Sequence, residues 1–189
     1  MEILTEKEFL MRKKEISKKI LAGAIFIYPT DTIYGIGCNA TNEEAVAKVR
    51  SVKERADAPF SVWAPSIEWI KENCQVSLEQ KEKYLSLLPG PYTLILKTKP
   101  GCNIAKNVHP GNGSLGVRMP EHKLGKFFEE LGVPIVTTSV NKSGKTFMTS
   151  SENIDPEIEN KVEFMIYEGE NKGRPSKIIN LVKDEVIER

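Results

Sequence analysis

Phe9, Leu10, Ile16, Ile20 and Leu21 recur at helical spacing behind a Thr5-Glu6-Lys7-Glu8 capping box, and Gly23 marks the stop. Gly23-Ala24-Ile25-Phe26-Ile27 reads as a short buried strand, broken by Pro29 and the small polar residues after it. Gly35 and Gly37 allow a tight backbone before the next helix. Thr41 and Asn42 are candidate caps, Glu43 and Glu44 suit the positive end of the helix dipole, and Ala45, Val46, Val49 and Val52 keep helical spacing to an end near Val52. A linker then leads into a short strand around Val62 that ends at Pro65, and Ser66 caps a helix through Ile70. Residues 77–88 form the next amphipathic pattern, capped by Ser77, with Leu78, Leu85 and Leu88 toward the core and Pro89-Gly90-Pro91 as the stop.

The second half continues the alternation. Residues 92–97 read as a core strand, residues 100–113 as a mobile glycine- and asparagine-rich loop, and residues 114–119 as a strand that puts Ser114, Gly116 and Arg118 on one face. Residues 122–131 form a helix with Leu124, Phe127, Phe128 and Leu131 inward, ended by Gly132. The β-branched run 134–141 is a strand that turns at Lys142-Ser143-Gly144, and two further strands, 162–167 and 175–181, flank a polar loop.

Within this frame a few polar residues stand out. Lys53 and Arg55 would point about 200° apart on a continuing helix, whereas an extended segment puts them on one side. If both serve one site, the chain is extended there. Ser139 and Asn141 repeat the same spacing. Arg118 is open between a ligand contact and a generic salt bridge. Guanidinium forks and hydroxyls together suit a ligand bearing phosphates and carboxylates. No Walker loop, His-Glu-x-x-His motif or Gly-x-Ser-x-Gly elbow is present.

Composition narrows the class. A length of 189 residues suits one domain over residues 1–189, able to bury a core without disulfides or metal. The 27 basic and 26 acidic residues leave the chain near neutral, which argues against a tight nonspecific grip on nucleic acid. The basic run Arg12-Lys13-Lys14 with Lys18-Lys19 reads as a solvated helix face rather than a nucleic-acid patch. Cys38, Cys74 and Cys102 are odd in number and widely spaced, so they read as buried or idle thiols, and His109 reads as a solvent-facing loop residue. No run approaches the ~18 apolar residues of a membrane span, so a cytoplasmic protein without membrane attachment is expected.

Five motifs in order, Pro29-Thr30-Asp31-Thr32-x-Tyr34-Gly35-x-Gly37, Lys53-x-Arg55, Pro89-Gly90-Pro91-x-Thr93, Gly116-Val117-Arg118-Met119-Pro120 and Ser139-x-Asn141, resemble those of the YrdC-like threonylcarbamoyl-AMP synthases. The resemblance runs from about Gly23 to the C-terminus. It implies an α/β fold, a single domain with a twisted mixed β-sheet flanked by helices, whose concave face binds ligands. It further implies a nucleotidyltransferase. L-threonine and bicarbonate or carbon dioxide give N-carboxy-threonine, whose carboxylate attacks the α-phosphorus of ATP and expels pyrophosphate. The product, threonylcarbamoyl-AMP, is passed by downstream transfer enzymes to adenosine 37 of tRNAs reading ANN codons.

On the same resemblance Thr32, Arg118, Thr137 and Ser176 hold threonine. Lys53, Arg55, Ser114, Ser139, Asn141 and Arg189 hold ATP, with Lys53 and Arg55 catalytic through the charge that develops there. Mg²⁺ is expected to travel with ATP, without a dedicated protein site. The Pro89-Gly90-Pro91-x-Thr93 motif is read as scaffold. The chain departs from the family pattern at Ala56 and Ala58, in place of a proline and of a polar or basic residue that commonly helps hold ATP. It departs again at Trp63, where some relatives carry a threonine-contacting histidine, and at Lys177 and Asn180 in the late strand. Arg189 aligns one position short. The rival readings are a YciO-like paralogue, which lacks the Ser-x-Asn pair, and a noncatalytic RNA-binding module of the same fold, with tRNA as its ligand.

Overall fold

A single mixed sheet of ten strands organises the computed structural model, which describes residues 1–111 and 113–187. In chain order the strands are β1 (Glu2–Leu4), β2 (Phe26–Tyr28), β3 (Gly35–Gly37), β4 (Ser61–Trp63), β5 (Tyr92–Lys97), β6 (Ser114–Arg118), β7 (Ile135–Ser139), β8 (Phe164–Ile166), β9 (Lys177–Asn180) and β10 (Glu185–Ile187). The helices are α1 (Glu6–Met11), α2 (Lys13–Leu21), α3 (Glu43–Lys53), α4 (Ile67–Asn73), α5 (Leu78–Lys83), α6 (Leu124–Leu131) and α7 (Pro156–Lys161). Across the sheet the order is β1-β8-β2-β3-β7-β4-β6-β5-β9-β10, with β7 hydrogen-bonded antiparallel to both β3 and β4.

Alternation along the strands divides the core in two. Val62, Val117 and Val136 face a cluster that takes in Val46, Val49 and Val52 of α3 and Ile70 of α4. Trp63 and Ile135, one residue on, face the opposite side with Phe26, Tyr28 and Phe164, under Phe9, Ile16 and Ile20 of α1 and α2 and Phe127 and Phe128 of α6. Burying each of these large side chains contributes about 1.5–3 kcal/mol. The second cluster is aromatic: Trp63 and Phe128 meet edge-on at 4.8 Å, and Phe26 stacks on Phe164 at 5.1 Å.

All four helix starts anticipated from capping residues are capped as expected. Thr5 forms the full capping box, and the side chains of Asn42, Ser66 and Ser77 accept from the backbone amides of Ala45, Trp69 and Gln80. Several interiors differ. The first helix is two, broken at Arg12, so Leu10 and Leu21 fall outside the buried stripe and are 52% and 48% exposed. Arg12 instead pairs with Glu2 and Glu15, and Lys19 with Glu15, which neutralises part of the basic run. The helix expected over residues 77–88 stops at Lys83 and gives way to a 3-10 turn at Leu85–Leu87, leaving Leu78 81% exposed. The pattern had no signal for β1 and β10, which are three residues long and lie at the sheet edges.

The segment 100–113 is tied down rather than loose. Ala105 donates to the Ala40 carbonyl, the Val108 carbonyl accepts from Phe60, and both Ala105 and Val108 are buried. His109 is half-buried there rather than solvent-facing, and burial lowers its pKa. Gly35 and Gly37 serve close approach. A Cβ at Gly37 would lie 2.1 Å from the Val136 carbonyl oxygen, and one at Gly35 would lie 3.1 Å from the Tyr28 ring.

Candidate functional site

The aromatic cluster covers only part of its face of the sheet. Register places Thr137, Ser61, Gly116 and Ile95 side by side across β7, β4, β6 and β5, and pairs Gly35 with Ser139. These residues are mostly small or hydroxylic, so the face that carries bulk at Trp63 becomes hollow beside it. Gly116 is part of the reason: a Cβ there would meet the Ser61 Oγ at 2.4 Å. The resulting pocket has a volume of about 260 Å³, and its walls include Thr30, Tyr34, Arg55, Phe60, Ser61, Thr93, Arg118, Thr137, Ser139 and Ser176.

One wall is the loop between β2 and β3. The Thr30 hydroxyl donates to the Ile33 carbonyl at 2.7 Å and lies 2.9 Å from the Thr32 hydroxyl. Arg118 reaches this loop from β6: its Nη2 donates to Asp31 Oδ1 at 2.8 Å and to Thr32 Oγ1 at 3.0 Å. The other Asp31 oxygen accepts from the backbone amide of Glu121 at 3.1 Å. Side-chain exposures of 8% for Arg118 and 11% for Asp31 make this a desolvated ion pair. Burial pulls the Arg118 pKa down while Asp31 opposes the shift, and the intrinsic basicity of guanidinium keeps it charged. Its Nε is buried without a hydrogen-bond partner, so the fork has donor capacity left for a carboxylate at the pocket wall.

A second wall is built from hydroxyls. Thr93 Oγ1 and Ser176 Oγ lie 2.7 Å apart. The loop leading to Ser176 is clasped over the pocket. Tyr34 donates to the Gly169 carbonyl at 2.7 Å, Asn171 Nδ2 donates to the Thr30 carbonyl at 3.3 Å, and Gly173 packs directly onto the Thr32 carbonyl, where a Cβ would come within 1.7 Å.

The cations Lys53 and Arg55 occupy different places. The helix α3 runs one residue further than its apolar pattern, to Lys53, and ends on Glu54 in a left-handed conformation with φ 50°. Lys53 is 2% exposed. Its Nζ donates to the carbonyls of Ser139 and Asn141 and to Asn141 Oδ1, and the Ser139 hydroxyl donates to that same oxygen at 2.6 Å. Burial, and then the neighbouring Arg55 charge, push the Lys53 pKa down to about 7. The left-handed turn, rather than an extended strand, carries Arg55 round to the pocket wall, where its Nη2 donates to the Pro59 carbonyl at 2.9 Å and its guanidinium carbon lies 5.3 Å from the Phe60 ring centre.

Arg55, Arg118, Thr137, Ser139 and Ser176 therefore line one pocket, as their motifs anticipate. Thr32 stands behind Arg118, and Lys53 and Asn141 underlie the turn that follows β7. Ser114 is buried on the same face of β6 as Arg118 but is absent from the pocket walls. Arg189 lies outside the described residues. Thr93, read from sequence as scaffold, is a wall residue, and Thr30, Ser61 and Phe60 join it. The hydroxyl at Thr93 inside an anticipated motif was the available signal for it. Trp63, at the position of the relatives' histidine, is 1% exposed within the aromatic cluster. Ala56 and Ala58 are exposed, and Asn180 spends its side-chain oxygen on the backbone amides of Val182 and Lys183.

The model of a family designated Sua5, YciO and YrdC, described as "Telomere recombination", matches residues 18–189. A protein of Methanocaldococcus jannaschii, whose name provisionally makes it a threonylcarbamoyl-AMP synthase, is 38% identical, with the match covering 97% of this chain and 87% of that one. The threonylcarbamoyl-AMP synthase of Pyrococcus abyssi is 33% identical, with 87% of this chain and 49% of the relative covered. Among solved structures, the crystal structure of P. abyssi Sua5 complexed with L-threonine superposes with a TM-score of 0.83 at 30% identity, covering 95% of this chain and 54% of that one. The chain thus spans about half the length of the Pyrococcus protein.

Proposed function

This chain belongs to the Sua5/YciO/YrdC family, and on that premise we propose that it is a threonylcarbamoyl-AMP synthase, making threonylcarbamoyl-AMP and pyrophosphate from L-threonine, bicarbonate and ATP for tRNA modification. The observation that carries the reading is Arg118. A buried guanidinium, fixed on one side by Asp31 and with its Nε unpartnered, meets the walls of a hydroxyl-lined pocket. A carboxylate fits that arrangement, because an anion completes the fork without unpaired donors. The Thr30, Thr137, Thr93 and Ser176 hydroxyls then supply contacts for the amino-acid side chain and amine.

The volume separates the two substrates. About 260 Å³ falls below the roughly 300–1,000 Å³ typical of larger ligands. Threonine fits inside, and the nucleotide reaches the site from the rim, where Arg55 and Ser139 stand. In the reaction the threonine amine adds to carbon dioxide and loses a proton. One oxygen of the resulting carbamate then bonds to the α-phosphorus of ATP as the bond to the β-phosphate oxygen breaks and pyrophosphate departs. Such phosphoryl-group chemistry depends mainly on positioning and on charge stabilisation, which Arg55 supplies directly. Lys53 fixes the Ser139 turn that faces it.

Among the described residues no group of three or more His, Cys, Asp or Glu side chains could hold a metal ion, and both Asp31 oxygens are engaged. Mg²⁺ is accordingly assigned to the substrate, arriving on the triphosphate. No helix among the described residues is long and apolar enough to cross a membrane.

The test is pyrophosphate release from ATP, with threonine and bicarbonate left out in turn. Release should require both, and the adenylate product should carry the threonine mass. Equal release with neither present would make the chain an ATP hydrolase and end this reading.

A further inference from the structure

We propose that Arg50, a residue that belongs to none of the five motifs, is the positioning residue that sets Arg55 at the pocket. Its guanidinium gathers five backbone carbonyls. Nε donates to Asn107 at 2.7 Å, Nη1 to Arg55 at 3.1 Å, Ala56 at 2.9 Å and Ala58 at 3.1 Å, and Nη2 to Val108 at 3.3 Å. The same group lies over the Phe60 ring, 4.5 Å from its centre, and Phe60 is also the platform for Arg55. Phe60 in turn donates its backbone amide to Val108, closing the arrangement.

The loop so held has little else to define it. It opens on Glu54 at positive φ, and Ala56, Asp57, Ala58 and Pro59 are all exposed. Two of the three residues after Arg55 are alanines, with no side chain able to pack or bond. Where the chain departs from its family's proline and polar residue, the backbone is fixed instead by one fork reaching from inside α3. Only arginine can do this, because five donors in a rigid plane can span carbonyls on two segments, whereas an ammonium presents three donors from one point. Arg50 therefore ties residues 55–58 to residues 107–108 and aligns Arg55 without touching the pocket itself, since it is not one of the pocket's wall residues.

The inference rests on the synthase reading insofar as Arg55 contacts the ATP phosphates, and binding measurements separate the two. ATP and threonine affinities are measured by calorimetry for the wild type, Arg50→Lys, Arg55→Ala and the double variant, with melting curves on each preparation. Arg50→Lys should weaken ATP binding by about fivefold or more, the scale of one misplaced charge-assisted contact, and leave threonine affinity within about twofold. In the Arg55→Ala background the same change should cost ATP affinity nothing further. Equal losses in both backgrounds, or wild-type ATP affinity in Arg50→Lys, would overturn the role. If Arg50→Lys does not fold, Phe60→Leu removes the shared platform and must show the same dependence on Arg55, or the proposal falls. A wild type that binds ATP but releases no pyrophosphate sinks the synthase reading alone, and one that binds no ATP overturns both.

Discussion

Lys53, at the end of α3, and Asn141, just beyond β7, are joined twice: the ammonium donates to the Asn141 carbonyl at 2.8 Å and to its side-chain oxygen at 3.0 Å. Two motifs 88 positions apart are thereby one structural unit, and Lys53 is a buried staple rather than a cation waiting in solvent.

Lys53→Met should lower stability by about 1–3 kcal/mol at neutral pH, the cost of leaving buried acceptors unpaired. The effect should depend on pH. The unfolded lysine titrates near 10.4, while burial brings the folded one to about 7. Between those values the unfolded chain holds the extra proton, so wild-type stability rises with pH; below about 7 both states are protonated and this dependence vanishes. Urea midpoints from pH 6 to 9 should show the gap between wild type and Lys53→Met widening above pH 7. A constant gap would mean that Lys53 remains an ammonium throughout.

Arg55→Ala should cost about 1 kcal/mol of stability, since one hydrogen bond to Pro59 and a ring contact are lost. Turnover should fall much further, by roughly 100-fold, if this cation meets charge developing on the phosphates. Melting and pyrophosphate release on one preparation decide the matter, and wild-type turnover would remove Arg55 from the site.

Asp31→Ala leaves the Arg118 guanidinium buried beside Thr32 without its counter-charge. Breaking a buried pair from one side commonly costs about 3–5 kcal/mol. The variant should melt early and bind threonine poorly. A variant as stable as the wild type would show that Asp31 does not anchor Arg118.

Gly173→Ala probes the loop clasped over the pocket, because the new methyl would sit 1.7 Å from the Thr32 carbonyl oxygen. Backbone must shift, and overpacking of this kind costs about 1–3 kcal/mol. Threonine affinity should drop, and limited proteolysis should cut earlier within residues 168–175. Unchanged affinity would show that the loop's seat on Thr32 does not matter to binding.

Local signals in the sequence were reliable where the physics is local. The caps at Thr5, Asn42, Ser66 and Ser77 depend on a hydroxyl or amide and an amide two or three residues on, and the split of Val62 from Trp63 depends on a period of two; both can be read without a fold. The break at Arg12 could not be, because it is favoured by Glu2, which reaches that position only when β1 pairs with β8.

The sequence by itself determined that this chain alternates helices and strands, where most of its elements begin, and which motifs carry cations and hydroxyls. Only the tertiary structure decided how those groups are used. It made Lys53 a staple and Arg55 a wall residue, although they are two positions apart, because α3 ends on a left-handed residue between them. It turned Thr93 from scaffold into a partner of Ser176, and set Asp31 against Arg118, across 83 and 87 positions of chain. Such contacts are fixed by strand order and register, which bring distant segments within the ~3 Å reach of a hydrogen bond and which no local period or spacing encodes.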